Sequence, residues 1–294
     1  MTTEHSGAGD PGRTLQLLWG VQGRPRRGPR PRLTVEEIVR TATDLADTEG
    51  LDALSIRRIA ERLGVAPMSI YTYVPGKSEL IDLMLDRAYG ELTPPPEGTA
   101  EDHTGRDSTS GESAGEEGTA EGGDRDKDEV RGEGEGEQGR APGWRRRLEH
   151  IARENWALFH RHPWMLQVVT ARPPMGPHLL DKYEFELRAV DGLGLSDLEM
   201  DSVVTLVNGF AESSARVSVH AAQAEQRTGM NDEEWWKATA PVLEKLIDTE
   251  RYPLGTRVGT VAGREHGGAV GPGHAFEFGL RRVLDGIEVL IRSR

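Results

Sequence analysis

The chain contains no cysteine, which removes disulfide frameworks, thiolate metal sites and thiol nucleophiles together and suits a reducing compartment. It also lacks any apolar run near the roughly 20 residues that span a bilayer. The opening residues Met1 to Asp10 lack the charged and then apolar order of a secretory leader. A cytoplasmic protein without a membrane partner is therefore expected. No nucleophile elbow, phosphate-binding glycine loop or metal-ligand spacing is present, so no enzyme activity, catalytic residue, metal or cofactor is expected. His160 and His162, with His150 nearby, do not make a metal site, because helical residues two apart face different ways; capping or packing explains them better. No strand-like alternation of any length occurs.

Positive charge is also short, with a formal net charge of -13, which at first argues against a polyanionic partner. The distribution removes most of that objection. Between Glu97 and Arg140 there are fifteen acids and five bases, and the tract has almost no large apolar residues. It cannot bury enough surface to offset its chain entropy, so residues 93–142 read as an acidic, disordered linker. By contrast, Arg24, Arg26, Arg27, Arg30 and Arg32 form a basic run containing no acid. They lie in a Gly/Pro/Arg-rich segment, 1–32, that is expected to be a mostly flexible arm with one apolar patch, Leu15, Leu17, Leu18 and Trp19. Such an arm either enters a minor groove or merely solubilises the chain.

What the sequence does have is helical periodicity. Thr34 to Glu37 forms a capping box ahead of Val35, Ile38, Ala42, Leu45 and Ala46, which predicts a helix to about Thr48, with Gly50 as its terminator. Ser55 caps a second, short helix with the apolar face Ile56, Ile59, Ala60 and Leu63, ending at Gly64. Pro67 suits the first position of a third helix, Pro67 to Tyr73. A fourth runs through Leu80, Ile81, Met84, Leu85 and Ala88 towards Leu92, and Pro94 to Pro96 stop it. Beyond the acidic tract, helices are expected from Trp144 to about His162 and over 177–193, 196–224, 232–249 and 274–292, with 253–273 as a long glycine-rich loop. The fold class is all-α: an N-terminal three-helix helix-turn-helix head over 33–92 and a C-terminal helical-bundle domain over 143–294.

Two short helices joined by the tight turn Gly64-Val65-Ala66, with a longer helix behind them, are the arrangement of a DNA reader. The third helix carries hydroxyls and rings where a structural helix would have Glu, Lys or Ala. In a major groove, Met68 and Thr72 reach thymine methyls, Ser69 and Thr72 reach base edges, and Tyr71, Tyr73 and Lys77 reach phosphates. Tyr73 has a second reading, as a cover for the junction with the fourth helix.

The order Leu54-Ser55-Ile56-Arg57-Arg58-Ile59-Ala60, then Leu63-Gly64-Val65-Ala66, then Ile70-Tyr71-Thr72-Tyr73-Val74-Pro75-Gly76-Lys77 resembles the DNA-binding head of the TetR family over Leu33 to Leu92. The resemblance implies phosphate contacts from Ser55, Arg57, Tyr71, Tyr73 and Lys77, and base reading by Pro67, Met68, Ser69 and Thr72. Tyr73 stands where many family members have histidine, and Met68 replaces a commoner small residue. Trp156, His162-Pro163-Trp164, Arg172-Pro173-Pro174, Phe276 to Leu280 and Asp285 to Glu288 are similar, more loosely, to tetracycline-repressor-like C-terminal domains.

That likeness implies that the last long helices pair two subunits. The apolar stripe Phe276, Leu280, Val283, Leu284, Ile287, Leu290 and Ile291 fits such a homodimer and fits an internal core equally, while Gly279 and Gly286 permit close helix approach. Trp156, Phe159, Trp164, Met165, Phe185, Asn208 and Phe210 are the candidate lining of a small-molecule effector pocket. The implied function is a ligand-responsive repressor on a palindromic operator in double-stranded DNA. Two alternatives stand beside it: a regulator without a ligand, whose acidic linker or helical domain binds other proteins, and an acidic tract that competes with DNA for the chain's own arginines.

Overall fold

The first helix of the head begins where the capping box requires. In the computed structural model, which describes residues 4–21, 33–95, 143–170, 172–269 and 271–294, α2 spans Val35–Glu49. The Thr34 hydroxyl accepts from Glu37 N–H at 3.1 Å, and the Glu37 carboxylate accepts from Thr34 N–H at 2.9 Å. Helix α3, Ile56–Leu63, is capped by Ser55 and closed by Gly64 at φ +65°. Helix α4, Pro67–Tyr71, is two residues shorter than expected and rests on the buried Ile70. Helix α5, Lys77–Tyr89, stops short of the expected Leu92. Ile38, Leu45, Ile59, Ile70, Leu80, Ile81, Met84 and Leu85 are buried together.

The N-terminal segment departs from the expected flexible arm. Its described part, residues 4–21, forms a short strand β1, Glu4–His5, and a helix α1, Pro11–Leu18. Asp10 caps α1 by accepting from Arg13 N–H at 2.7 Å, and Pro11 takes the first helical position. These start signals sit in a Gly/Pro-rich composition that hides them. Leu17 and Leu18 are buried in the head core. The arginine run 24–32 and the acidic tract from 96 to 142 lie outside the described residues.

The second domain is built from α6 (Gly143–Arg161), a 3-10 turn (Pro163–Gln167), strand β2 (Val168–Val169), α7 (Pro177–Arg188), α8 (Asp197–Thr228), α9 (Asp232–Leu246), α10 (Pro253–His266) and α11 (Pro272–Arg292). The fold is all-α, and the sole sheet among the described residues is the parallel pair β1 with β2, register Glu4 to Val168 and His5 to Val169. Helix α6 packs along α8, and α11 closes on both. Helix α7 is shorter than expected and α8 longer; Ser196 opens α8 with a capping box, and Gly229 closes it in the left-handed region.

Residues 253–266 are helical rather than a loop. Gly255, Gly259 and Gly263 recur every fourth residue, and a Cβ at Gly263 would run into the Trp236 ring of α9. Gly263 therefore lets α10 approach α9, while Gly255 and Gly259 on the same face line a cavity between the two helices. The pair is lightly held: no residue of α9 is buried, and Gly263 is the buried residue of α10.

Candidate nucleic-acid interface and regulatory core

Helix α4 presents its functional side chains because one residue anchors it. Ile70 is fully buried, whereas Pro67, Met68, Ser69, Tyr71 and Thr72 face solvent, Met68 at 74% exposure. Arg57 also points outward, held by Glu61 at 3.0 Å. Ser55 is half-buried: its hydroxyl oxygen accepts from Arg58 N–H at 3.3 Å, so it is first a helix cap, with its own proton left to donate. Tyr73 is half-buried against the head core, in line with its second reading. Lys77, half-buried at the start of α5, gives its ammonium to Glu4 at 2.7 Å. Arg58 and Arg62 both bind Glu49 on α2, which ties α3 to the helix behind it.

The head is fixed to the second domain by buried polar groups that sequence reasoning missed. His162, at the end of α6, lies between Asp47 of α2 at 2.8 Å and Glu91 after α5 at 3.0 Å. Burial alone would drive the proton off this ring, but the two carboxylates outweigh it and hold its pKa above the ordinary histidine value. Trp164 Nε1 donates to the same Asp47 at 2.8 Å. Asp86 of α5 accepts from Leu179 N–H at 3.0 Å and meets His178 at 3.0 Å. A carboxylate from the head-proximal helix thereby serves the start of α7, whose own N-cap, Gly176, offers no side chain. Asp82, one turn earlier, accepts from Gly7 N–H at 3.0 and 3.2 Å. Burial, with Glu79 nearby, raises its pKa to about 6 against the pull of that hydrogen bond. The available signal was two carboxylates set inside the apolar run Leu80 to Ala88.

Among the expected effector residues, Trp156, Phe185, Asn208 and Phe210 stand around a second buried cluster. Lys182 and Glu186 are both buried and paired at 2.5 Å. Glu186 also accepts from Asn155 at 3.3 Å and from Asn208 at 3.0 Å. Burial lowers the pKa of Lys182 although Glu186 opposes it, and burial followed by the nearby carboxylates raises that of Tyr89, whose ring lies 6.0 Å from the Lys182 ammonium. The indole N–H of Trp156 and the amide oxygen of Asn208 are buried with no hydrogen-bond partner among the described residues. Trp156 and Phe210 stack on Phe276 at 5.1 and 5.9 Å. Phe159, Trp164 and Met165 are instead buried in the cluster shared with the head, because the 3-10 turn carries Trp164 towards Asp47.

The expected pairing stripe divides between this chain's core and its surface. Phe276, Leu280, Leu284 and Ile287 are buried within this chain's own core, which the competing reading allowed, and Gly279 makes room for the Phe210 ring. Val283, Leu290 and Ile291 remain half-buried. Val283 and Leu290 line a shallow cavity of about 400 Å³ with Leu206 and Gly286 between α8 and α11. His150 reaches the Thr93 carbonyl at 2.9 Å and His160 the Trp156 carbonyl at 2.7 Å and the Ser218 hydroxyl at 2.9 Å. Among the described residues no three His, Cys, Asp or Glu gather as metal ligands, and no helix is long and apolar enough to cross a membrane.

Comparison with known proteins agrees with this architecture. Residues 38–84 match the bacterial regulatory proteins, tetR family, and residues 136–291 the tetracyclin repressor-like C-terminal domain. The HTH-type transcriptional repressor DrrR1 of Streptomyces coeruleorubidus is 40% identical over 294 residues, covering 100% of this chain and 91% of its own length. An HTH-type transcriptional regulator of Saccharopolyspora erythraea is 26% identical over 193 residues, 65% of this chain and 64% of that one. The fold is shared with apo ActR from Streptomyces coelicolor, with a TM-score of 0.59 at 22% identity over 90% of this chain and 99% of that one. ActR in complex with actinorhodin gives 0.60 at 21% identity over 88% and 96%. Matched by both family domains and by a repressor relative across its whole length, the chain belongs to the TetR family of transcriptional regulators.

Proposed function

We propose that this chain represses transcription by binding a palindromic operator as a homodimer and releases it when a small molecule enters the second domain. The observation that carries the reading is the solvent-facing side of α4, where Pro67, Met68, Ser69, Tyr71 and Thr72 project around a single buried anchor, Ile70. Ser69 and Thr72 address base edges, Pro67 and Met68 address thymine methyls, and Ser55, Arg57, Tyr71, Tyr73 and Lys77 address phosphates. One such helix reads only a few base pairs, so specificity comes from two heads on half-sites about 34 to 36 Å apart. Pairing uses the free face of α8 and α11, with Leu206, Val283, Gly286 and Leu290 beside the exposed Phe278 and Val289.

The effector site lies beside the Lys182–Glu186 pair. The unpartnered Trp156 N–H and Asn208 carbonyl call for a largely apolar molecule that carries one acceptor and one donor. The complex of ActR with actinorhodin supports a small-molecule effector. A ligand that shifts α7 pulls on Asp86, hence on α5 and the head, and moves both half-site readers together.

The test is titration of the purified protein against the DNA upstream of its own gene, at two salt concentrations, beside a Tyr71→Ala/Lys77→Ala double variant. The expected result is salt-dependent binding to a palindromic site that the variant loses. Equal binding by both proteins would remove α4 as the reading element.

A further inference from the structure

The N-terminal segment crosses the seam between the head and the second domain and is bonded to both. On the head side, Gly7 N–H donates to Asp82, Leu17 and Leu18 enter the core, and Glu4 takes the Lys77 ammonium at 2.7 Å. On the other side, β1 pairs with β2, and Ser6 N–H donates to the Val169 carbonyl at 3.1 Å. The Ser6 hydroxyl donates to the Arg172 carbonyl at 2.6 Å, and Trp19 Nε1 to the Met175 carbonyl at 2.9 Å. Gly7 sits at φ +65°, and a Cβ there would lie 2.9 Å from the Arg172 Cβ, so the segment docks only because this residue has no side chain.

We propose that Glu4–Trp19 is an autoinhibitory strap, which locks the head in one orientation on the second domain and holds Lys77 on Glu4 instead of on DNA phosphate. The proposal rests on the DNA-binding reading of Lys77 given above. A lysine ammonium that pairs with a carboxylate must exchange that partner for a phosphate, and the carboxylate left beside it repels the DNA backbone. Lys77 opens α5 directly beyond the exposed face of α4, where an approaching duplex meets it. The strap also ties β2 and the 172–175 segment to α5, so its docked state resists any head rotation that fitting two half-sites requires. Operator binding therefore works against the strap, and undocking it raises affinity.

The experiment uses the full chain and a mixed-sequence duplex, because a phosphate contact does not depend on base sequence. Binding is titrated at low and moderate salt for wild type, Glu4→Gln, Gly7→Val, Lys77→Ala and the Glu4→Gln/Lys77→Ala pair. Glu4→Gln removes the carboxylate while keeping its shape, and Gly7→Val undocks the strap without touching a DNA-facing residue. The strap predicts that each of these two binds about three- to tenfold tighter than wild type, with a steeper salt slope by about one phosphate contact. It also predicts that most of the Glu4→Gln gain disappears in the Lys77→Ala background. Should Lys77→Ala weaken binding while Glu4→Gln and Gly7→Val stay within twofold of wild type, the strap is overturned and the DNA-binding reading survives. If Glu4→Gln gains as much in the Lys77→Ala background as alone, Lys77 is not the group the strap withholds and the strap fails; if wild type binds no duplex, the DNA-binding reading fails and the strap with it. Far-ultraviolet circular dichroism checks that Gly7→Val is folded; if it is not, Glu4→Gln alone decides.

Discussion

The head and the second domain place their polar chemistry on opposite sides of their surfaces. In the head, the candidate reading groups on α4 are outside and the core beneath them is aliphatic, from Ile38 to Leu85. In the second domain the ionic pair Lys182–Glu186, Asn155 and the unpartnered Trp156 and Asn208 atoms are inside. A groove-reading element needs rigidity behind it and freedom in front, whereas a small-molecule site needs unsatisfied polar groups kept from water. The two domains meet at a seam that mixes the buried Asp82 and Asp86 with the more exposed Asp47, where neither rule holds alone.

The largest expected effect tests the inside of the second domain. Glu186→Leu leaves the Lys182 ammonium buried without its partner and should cost about 3 to 5 kcal/mol in urea unfolding, while adding Lys182→Met restores most of it. A single substitution that costs no more than a surface change would show that the pair is not held away from water. Next comes the head: Ile70→Ala removes the anchor of α4 and should cost about 2 to 4 kcal/mol, whereas Met68→Ala should leave stability within about 0.5 kcal/mol and weaken DNA binding. Similar stability losses from both would erase the inside-outside contrast in the head.

The seam supplies a pH signature. Asp82 titrates at about 6 in the folded chain against an ordinary aspartate value of 3.8, so between those two values the folded state takes up a proton that the unfolded state does not. Stability from this group therefore rises as pH falls from 7 towards 4, by about 2 kcal/mol. Thermal melts at pH 7.5 and 5 should show about 1.4 kcal/mol of that gain in wild type and lack it in Asp82→Asn, which keeps an acceptor for Gly7 N–H. The smallest net effect is Trp156→Phe: deleting the unpartnered buried N–H offsets part of the packing lost with the larger ring, so the stability of the free protein should change by less than about 1 kcal/mol, while any effector that needs that donor binds more weakly. A loss well above the cost of the lost packing would mean that the indole N–H already has a partner.

Much of the head was legible because its signals are local. Thr34 with Glu37, Ser55, Gly64 and Pro67 each specify a helix end within one turn, and the alternation of buried and exposed positions on α4 follows from Ile70 alone. The stripe on α11 was equally legible as a stripe, but the sequence could not say whether Phe276, Leu280, Leu284 and Ile287 face the chain's own α6 and α8 or a second copy. Composition misled at two places. Glycine and proline near Pro11 and from Gly255 to Gly263 suggested irregular chain, yet in the first case they mark a cap and in the second they belong to a helix that Gly263 seats against Trp236.

The sequence by itself determined the helices of the head, their caps, the polar face of α4 and the all-α class, since these depend on residues a turn or two apart. Only the tertiary structure decided that Asp86 serves α7, that His162 joins Asp47 to Glu91, that Lys182 and Glu186 are buried together, and that Gly7 lies on Asp82. Those partners are brought together or buried by the folded path of the whole chain, and nothing in the local spacing of any one of these residues specifies which distant group will come to lie against it.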